Sequence, residues 1–249
     1  MVPGITTEAV VLAITDVGEE DRILTFITPE AGLLRAAATS ARNLKKGRAA
    51  TLDLFVKLQL TVNHPRKEGK LKRVGSARIL DPFLGIRADY GRLCAASYIG
   101  QTVAHCVQED DPSPGTYHLV DHCLHRLDAG SEPSGVMLLF EVKLLREMGL
   151  LPDLTRCIHC TQSVAGDACL DVAGGGILHA SCAPGVGGRE GLFSGGDLAV
   201  LRYLSDRNLA ASVKLSVKEE DAVRIFNVLH PFSVHHLGYE SRALRMMRR

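Results

Sequence analysis

Tryptophan is absent from the 249-residue chain, and the seven Phe and five Tyr are its whole aromatic complement. Charge of one sign is missing too: 29 Lys+Arg stand against 28 Asp+Glu, a net of +1. No apolar run reaches the roughly 18 residues that a membrane span needs, which excludes a transmembrane helix. The first residues, Met1-Val2-Pro3-Gly4, carry no basic stretch leading into an apolar one, so nothing marks the chain for secretion. Seven cysteines, an odd number, argue against a disulfide framework and for reduced thiols, some free to hold metal. Enzyme signatures are also wanting. There is no GxxxxGK[ST], no GxGxxG after a strand, no GxSxG, no HExxH and no HxE. A hydrophobic fraction of 46% is enough for a sizeable core and excludes wholesale disorder.

The near-neutral total hides an uneven distribution. Residues 1–80 hold 13 Lys+Arg and 8 Asp+Glu, residues 81–150 hold 5 and 10, and residues 151–249 hold 11 and 10. A basic head followed by an acidic middle predicts separate modules with different partners, nucleic acid first among those of the head.

The head reads as β-structure. Short runs at 8–14, 22–28 and 33–38 are separated by the turn chemistry of Asp16-Val17-Gly18-Glu19-Glu20 and Pro29-Glu30-Ala31-Gly32. Strict alternation across 52–62 predicts one long half-buried strand, and 70–80 supplies a fifth. Five strands in about 80 residues suit a small closed barrel. Asp81-Pro82 marks the expected junction, giving domains 1–80 and 81–249. After it the pattern is helical, over 87–107, from Ser113-Pro114 to 128, and over 133–148 with Gly149 at its end. A further helix starts at Ser194 with Asp197 completing a capping box. Another spans about 218–236, with Pro231 as a kink or boundary.

Residues 153–192 differ: Gly-rich, Cys-rich and without periodicity. Cys157-Ile158-His159-Cys160 is a CxxC, and His179-Ala180-Ser181-Cys182 follows as HxxC. Two short-spaced pairs joined by a longer excursion are the pattern of a zinc knuckle, because each pair sits on one tight turn and the two turns clamp one ion. Cys169 competes with His179 as the fourth ligand. Four protein ligands fill a tetrahedral site, so the expected single zinc is structural. His118, His122 and His125 lie at i, i+4 and i+7 of one helix. They could form a second metal stripe, but a His-rich, partly buried face is the plainer reading. Cys94, Cys106 and Cys123 read as core residues.

Cations crowd two loops of the head. Arg42, Lys45, Lys46 and Arg48 occupy one, with Arg35 on the strand before it. Arg66, Lys67, Lys70, Lys72 and Arg73 surround the next turn. Such groups track phosphates with steep salt dependence, while Phe26 and Phe55, the only Phe, Tyr or Trp residues here, leave little for base stacking.

Three features together, Ala9-Val10-Val11-Leu12 with Gly18-Glu19-Glu20-Asp21-Arg22-Ile23-Leu24, the stretch from Gly32 through Ala41-Arg42 to Lys45-Lys46, and the late knuckle, resemble the RecO family of bacterial recombination mediators over nearly the whole chain. The resemblance implies an α+β multidomain protein. An N-terminal OB-fold barrel is followed by an α-helical domain with a zinc-binding insertion at about 153–192. It implies a non-enzymatic protein that binds single- and double-stranded DNA and anneals complementary strands. Such a protein works with RecR so that RecA replaces single-strand-binding protein, in the bacterial cytoplasm at the nucleoid. It carries the family's DNA-binding loop onto Arg42, Lys45, Lys46 and Arg48, with Arg35 beside it, and the zinc ligands onto Cys157, Cys160 and Cys182. At the remaining zinc position His179 stands where many relatives have Cys. Many relatives lack the ligands altogether. The acidic helical domain is then left to contact proteins. Two rivals stand beside this expectation: a zinc-containing adaptor that never touches DNA, and a zinc-dependent hydrolase.

Overall fold

A computed structural model describes residues 4–39, 51–63, 71–183, 191–212 and 217–247. Five strands, β1 (Ile5–Val17), β2 (Asp21–Thr28), β3 (Gly32–Ala38), β4 (Lys57–Asn63) and β5 (Lys72–Asp81), close into a barrel in the order β1-β2-β3-β5-β4. All neighbours are antiparallel except β3 and β5, which run parallel through Ala36↔Lys72 and Ala37↔Arg73. This is a five-stranded barrel of OB type. Alternation builds it: Leu58, Leu60 and Val62 of β4 point inward beside Leu24, Phe26 and Leu34, while Gln59 and Thr61 face outward.

The expected long strand 52–62 is only half formed, because the alternation breaks where the chain turns. Leu52, Phe55 and Val56 are all buried, and Phe55 adopts a left-handed backbone (φ 58°). The segment instead pairs with a bulge in β1. The Phe55 N–H donates to the Val11 carbonyl (2.9 Å), and the Val11 N–H to that of Val56 (3.1 Å). Phe26 and Phe55 both belong to the interior, so neither offers a ring to a base.

The helices after Asp81 are α1 (Leu84–Arg87), α2 (Tyr90–Cys106) and α3 (Pro114–Asp128). The expected helix 87–107 thus begins in its own short turn, and α2 starts where the Asp89 carboxylate caps the Arg92 N–H. Pro114 opens α3, but the Ser113 hydroxyl before it donates back to the Asp111 carbonyl (3.2 Å) rather than capping the helix. These helices form one compact unit with the barrel, Met1–Gly130, joined by Ser241–Arg249. The expected junction at Asp81 is therefore where the barrel ends, not where the unit ends. The last helix, α8 (Arg242–Met247), packs on α2, where the Gln101 side-chain oxygen accepts from the Ser241 hydroxyl (2.8 Å).

The second unit, Ser131–Glu240, contains α4 (Pro133–Glu147), α5 (Gly195–Asp206), α6 (Leu209–Ser212) and α7 (Glu219–Leu237). Strands β6 (Ala168–Asp171), β7 (Gly176–His179) and β8 (Leu192–Phe193) make a small sheet in the order β7-β6-β8. The Ser194/Asp197 capping box is present on α5. Pro231 is neither end of α7, which runs through it to Gly238. Between α4 and α7 the buried Glu141 carboxylate accepts the Ser233 hydroxyl and lies 3.3 Å from His230 Nδ1. No helix among the described residues is long and apolar enough to cross a membrane.

One charged hub joins helix to barrel in the first unit. Lys57 Nζ lies 3.0 Å from Asp121 of α3 and 3.3 Å from Glu8 of β1, and the Tyr117 hydroxyl donates to Glu8 (2.9 Å). The Tyr117 hydrogen bond holds the Glu8 carboxyl below the usual carboxylate range against the opposing effect of burial, with Lys57 helping. Burial disfavours the Lys57 ammonium, but Asp121 and Glu8 more than offset it and raise its pKa. The Lys57→Met variant is expected to lose about 1–2 kcal/mol at pH 7, less than a fully buried pair because Glu8 is half exposed. A depressed folded-state pKa stabilises above the ordinary carboxylate pKa, and that contribution disappears as pH falls through the folded value. Urea unfolding followed by circular dichroism should therefore show a deficit at pH 7 that shrinks in acid.

Candidate metal centre and nucleic-acid face

The CxxC loop is a tight hairpin. Its two legs pair through Val164 N–H to the Thr155 carbonyl (2.9 Å) and Cys157 N–H to that of Gln162 (3.0 Å), and Thr161 makes the reversal with φ 61°. The second pair sits at the end of β7 and on the 3₁₀ turn Ala180–Cys182. The glycine trio brings the two together. Gly175 turns β6 into β7 with φ 78°, and a Cβ on Gly176 would lie 2.1 Å from Ile158 Cγ2, so only glycine lets β7 approach the CxxC loop. The Ile158 N–H then donates to the Ile177 carbonyl (2.9 Å).

As a result the donor atoms of Cys157, Cys160, His179 and Cys182 all lie within 4.8 Å of one another, a set that can hold one metal ion. His179 Nδ1 is 3.4 Å from Cys160 Sγ and 4.0 Å from Cys182 Sγ. Tetrahedral bonds of zinc to sulfur and nitrogen would separate their donors by roughly 3.5–3.8 Å, so these residues fit such an ion. The imidazole is held for the task. Its Nε2–H donates to the Ser163 carbonyl (3.1 Å), which leaves the Nδ1 lone pair facing the thiols. Burial works against ionising Cys157, yet backbone hydrogen bonds at Cys160, His179 and His159, with the Cys160 thiol, bring its pKa down to about 6. Burial and the neighbouring Cys160 and Cys157 push Cys182 up. Clustered thiols cannot all ionise without a cation among them.

Cys169 is not in the cluster. It sits mid-strand in β6, opposite Leu178 and Leu192. The His118, His122 and His125 stripe gathers no metal cluster among the described residues. His125 instead meets Asp121 and Asp81. Cys94 and Cys123 are buried, as core residues should be, and Cys106 partly so.

Sequence reasoning missed the residue that fastens the knuckle. Arg202 of α5 donates to the Leu154 carbonyl through Nε (2.9 Å) and Nη2 (2.7 Å), and to the Val164 carbonyl through Nη2 (2.7 Å). It therefore grips both legs of the CxxC hairpin. His236 of α7 holds the β6–β7 turn through the Val172 carbonyl (2.9 Å). An arginine on an otherwise apolar helix stripe beside Leu198, Leu201 and Leu204 was the available signal.

Of the expected nucleic-acid residues, Arg42, Lys45, Lys46 and Arg48 lie outside the described residues, as do Arg66, Lys67 and Lys70. Arg35 is exposed on β3, and Arg73 faces the same way from β5, opposite Ala37. Arg35 is already paired: its Nη1 lies 3.5 Å from Glu109, and Lys72 at the start of β5 pairs with Asp110. Acidic residues of the middle segment thus turn to the barrel's own cations.

Comparison with known proteins divides the chain just after the barrel. The family model described as Recombination protein O N terminal matches residues 1–83, and that described as Recombination protein O C terminal matches 87–245. The chain belongs to the RecO family. Relatives named DNA repair protein RecO include one from Desulfatibacillum aliphaticivorans, 30% identical over 99% of this chain and 97% of its own length. The Anaeromyxobacter sp. (strain K) relative is 33% identical over 96% and 93%. That of Myxococcus xanthus (strain DK1622) is 30% identical over 96% and 95%. The RecO assignment thus covers barrel, helices and knuckle together.

Cobalt(II) reads the donor set directly. The wild type and Cys169→Ser should each take up one ion with thiolate charge-transfer absorption. Cys157→Ser and Cys182→Ser should lose at least tenfold in affinity, and His179→Cys should keep the ion with a stronger thiolate band.

Proposed function

We propose that this protein binds single- and double-stranded DNA through its barrel, brings complementary strands together, and with RecR helps RecA replace single-strand-binding protein on DNA. The observation that carries the reading is an OB-type barrel bearing the chain's excess of cations, in a chain that matches RecO models from end to end. Arg42, Lys45, Lys46 and Arg48, between β3 and β4, are the principal phosphate-binding residues, with Arg35 beside them. The physical mechanism needs no covalent chemistry. Cations neutralise phosphates on two strands at once and remove the repulsion that opposes pairing. Holding both strands on one surface raises their effective concentration. Base pairing then supplies the specificity, which agrees with a barrel whose two phenylalanines are both interior.

The Cys157, Cys160, His179 and Cys182 cluster carries one structural zinc. Bound there, the ion supplies a tetrahedral cross-link between the two turns. Four protein donors leave no coordination position for water, and no carboxylate of the described residues joins the cluster, which disfavours the hydrolase reading. The protein works in the bacterial cytoplasm, at the nucleoid.

The first test is fluorescence anisotropy with a labelled single-stranded oligonucleotide across a salt series, on the wild type and on the Arg42/Lys45/Lys46/Arg48→Ala variant. The wild type should bind in the micromolar range or tighter at low salt and weaken steeply with salt. The variant should show a slope shallower by about 2–3, as expected for up to four lost phosphate contacts. Absent or salt-independent binding would overturn the DNA reading in favour of the adaptor.

A further inference from the structure

The pairing of Arg35 and Lys72 with carboxylates is part of a larger arrangement. Residues 108–110, between α2 and α3, lie along the edge of β3, bridged to it at Glu109. The Leu33 N–H donates to the Gln108 carbonyl (3.2 Å), and the Asp110 N–H to the Leu33 carbonyl (3.1 Å). Fit at this edge is close. A Cβ on Gly32 would stand 2.0 Å from the Asp111 carbonyl oxygen, and Gly32 itself has φ 55°. Asp110 is held in the left-handed region too, with φ 60°. Backbone bonding therefore fixes the stretch, and its two carboxylates land on two barrel cations: Glu109 on Arg35 and Asp110 on Lys72. Both belong to one compact unit with the barrel.

We infer that Glu109 and Asp110 act as a built-in phosphate mimic, occupying the cations of the β3–β5 seam and holding down the barrel's affinity for nucleic acid. The inference rests on the DNA reading above. A carboxylate on a guanidinium or ammonium takes the donors that a phosphate oxygen would take. The Arg35 and Glu109 side chains are each about half exposed (49% and 50%), and Asp110 is more so (59%). The exposed Arg35–Glu109 pair is weak and screened by salt, so a polyanion can displace it by rotating side chains while the backbone pairing stays in place; Lys72 is largely covered (16%), and only the Asp110 side of its pair lies open. Displacement frees Arg35 on the face where Arg73 already stands exposed, and Lys72 at the start of β5, and the acidic stretch sets how much phosphate charge is needed to open the seam.

The test compares Glu109→Gln/Asp110→Asn with Asp111→Asn by anisotropy on the same oligonucleotide. Asn tolerates the left-handed backbone at 110, and Gln keeps the length of Glu, so the fold is retained; circular dichroism melts check this. Asp111→Asn removes charge from the same stretch without freeing either cation. The mimic predicts that the double variant binds about tenfold tighter at low salt. Its plot of log affinity against log salt should be steeper by about 0.7–1.4, about 0.7 for the phosphate that Arg35 takes and up to as much again for Lys72. Asp111→Asn should change affinity about twofold or less. Arg35→Ala/Lys72→Ala introduced into the double variant should abolish its gain. Equal effects of the double variant and Asp111→Asn would overturn the mimic while leaving DNA binding intact. Absence of binding by every variant, wild type included, would overturn the DNA reading and the mimic with it.

Discussion

A five-stranded barrel has to close somewhere, and here it closes along its shortest seam. Among the described residues β2 and β3 pair along their full length, from Arg22↔Ala38 to Thr28↔Gly32, whereas β3 and β5 share only two pairs. The first residues of β3 are thus left with backbone groups that no strand of the barrel satisfies. An edge of this kind must be covered or it invites foreign pairing. Residues 108–110 cover it. Much follows from that constraint: α2 has to end at Cys106, the chain has to cross the barrel edge before α3 begins, and the residues that cross it meet Arg35 and Lys72.

The two units solve the same problem, fixing irregular backbone, with opposite kinds of group. In the first, carboxylates and cations at the ends of strands tie loops and helices to the barrel, and Lys57 serves three elements at once. In the second, a single guanidinium bonds only carbonyls: Arg202 satisfies the two legs of a hairpin that meets the small sheet at Ile177. The knuckle's shape is therefore already set by protein hydrogen bonds, and a metal has only to fill the space between four donors.

Strand and helix placement was largely legible in the sequence because period and punctuation agreed. The turns fall at 18–20 and 29–31, inside the stretches the residues marked, and the capping box at Ser194 and Gly149 after α4 fall where the residues put them. The first half of the 52–62 alternation misled because burial on a closed barrel comes from more than one direction. Leu52 and Phe55 are interior without belonging to a strand, and period alone cannot tell the two cases apart. The knuckle's four donors were legible from spacing, while the choice between His179 and Cys169 needed the β6–β7 register, which sets Cys169 against Leu178 and away from the cluster. The covering of Arg35 was not legible, since 74 residues separate it from Glu109 and no local pattern connects them.

The knuckle has a consequence for the unfolded chain as well as for the folded one. Cys157 and Cys182 lie 25 positions apart, and an ion held by both closes that stretch into a loop. Restricting an unfolded segment of this size removes conformational freedom equivalent to about 3–4 kcal/mol, by the reasoning applied to disulfides. A thiolate–imidazole clasp achieves it with a bond that chelators undo and reductants leave alone. With an ion bound there, part of the second unit's stability would follow the free concentration of a metal rather than the redox potential around it.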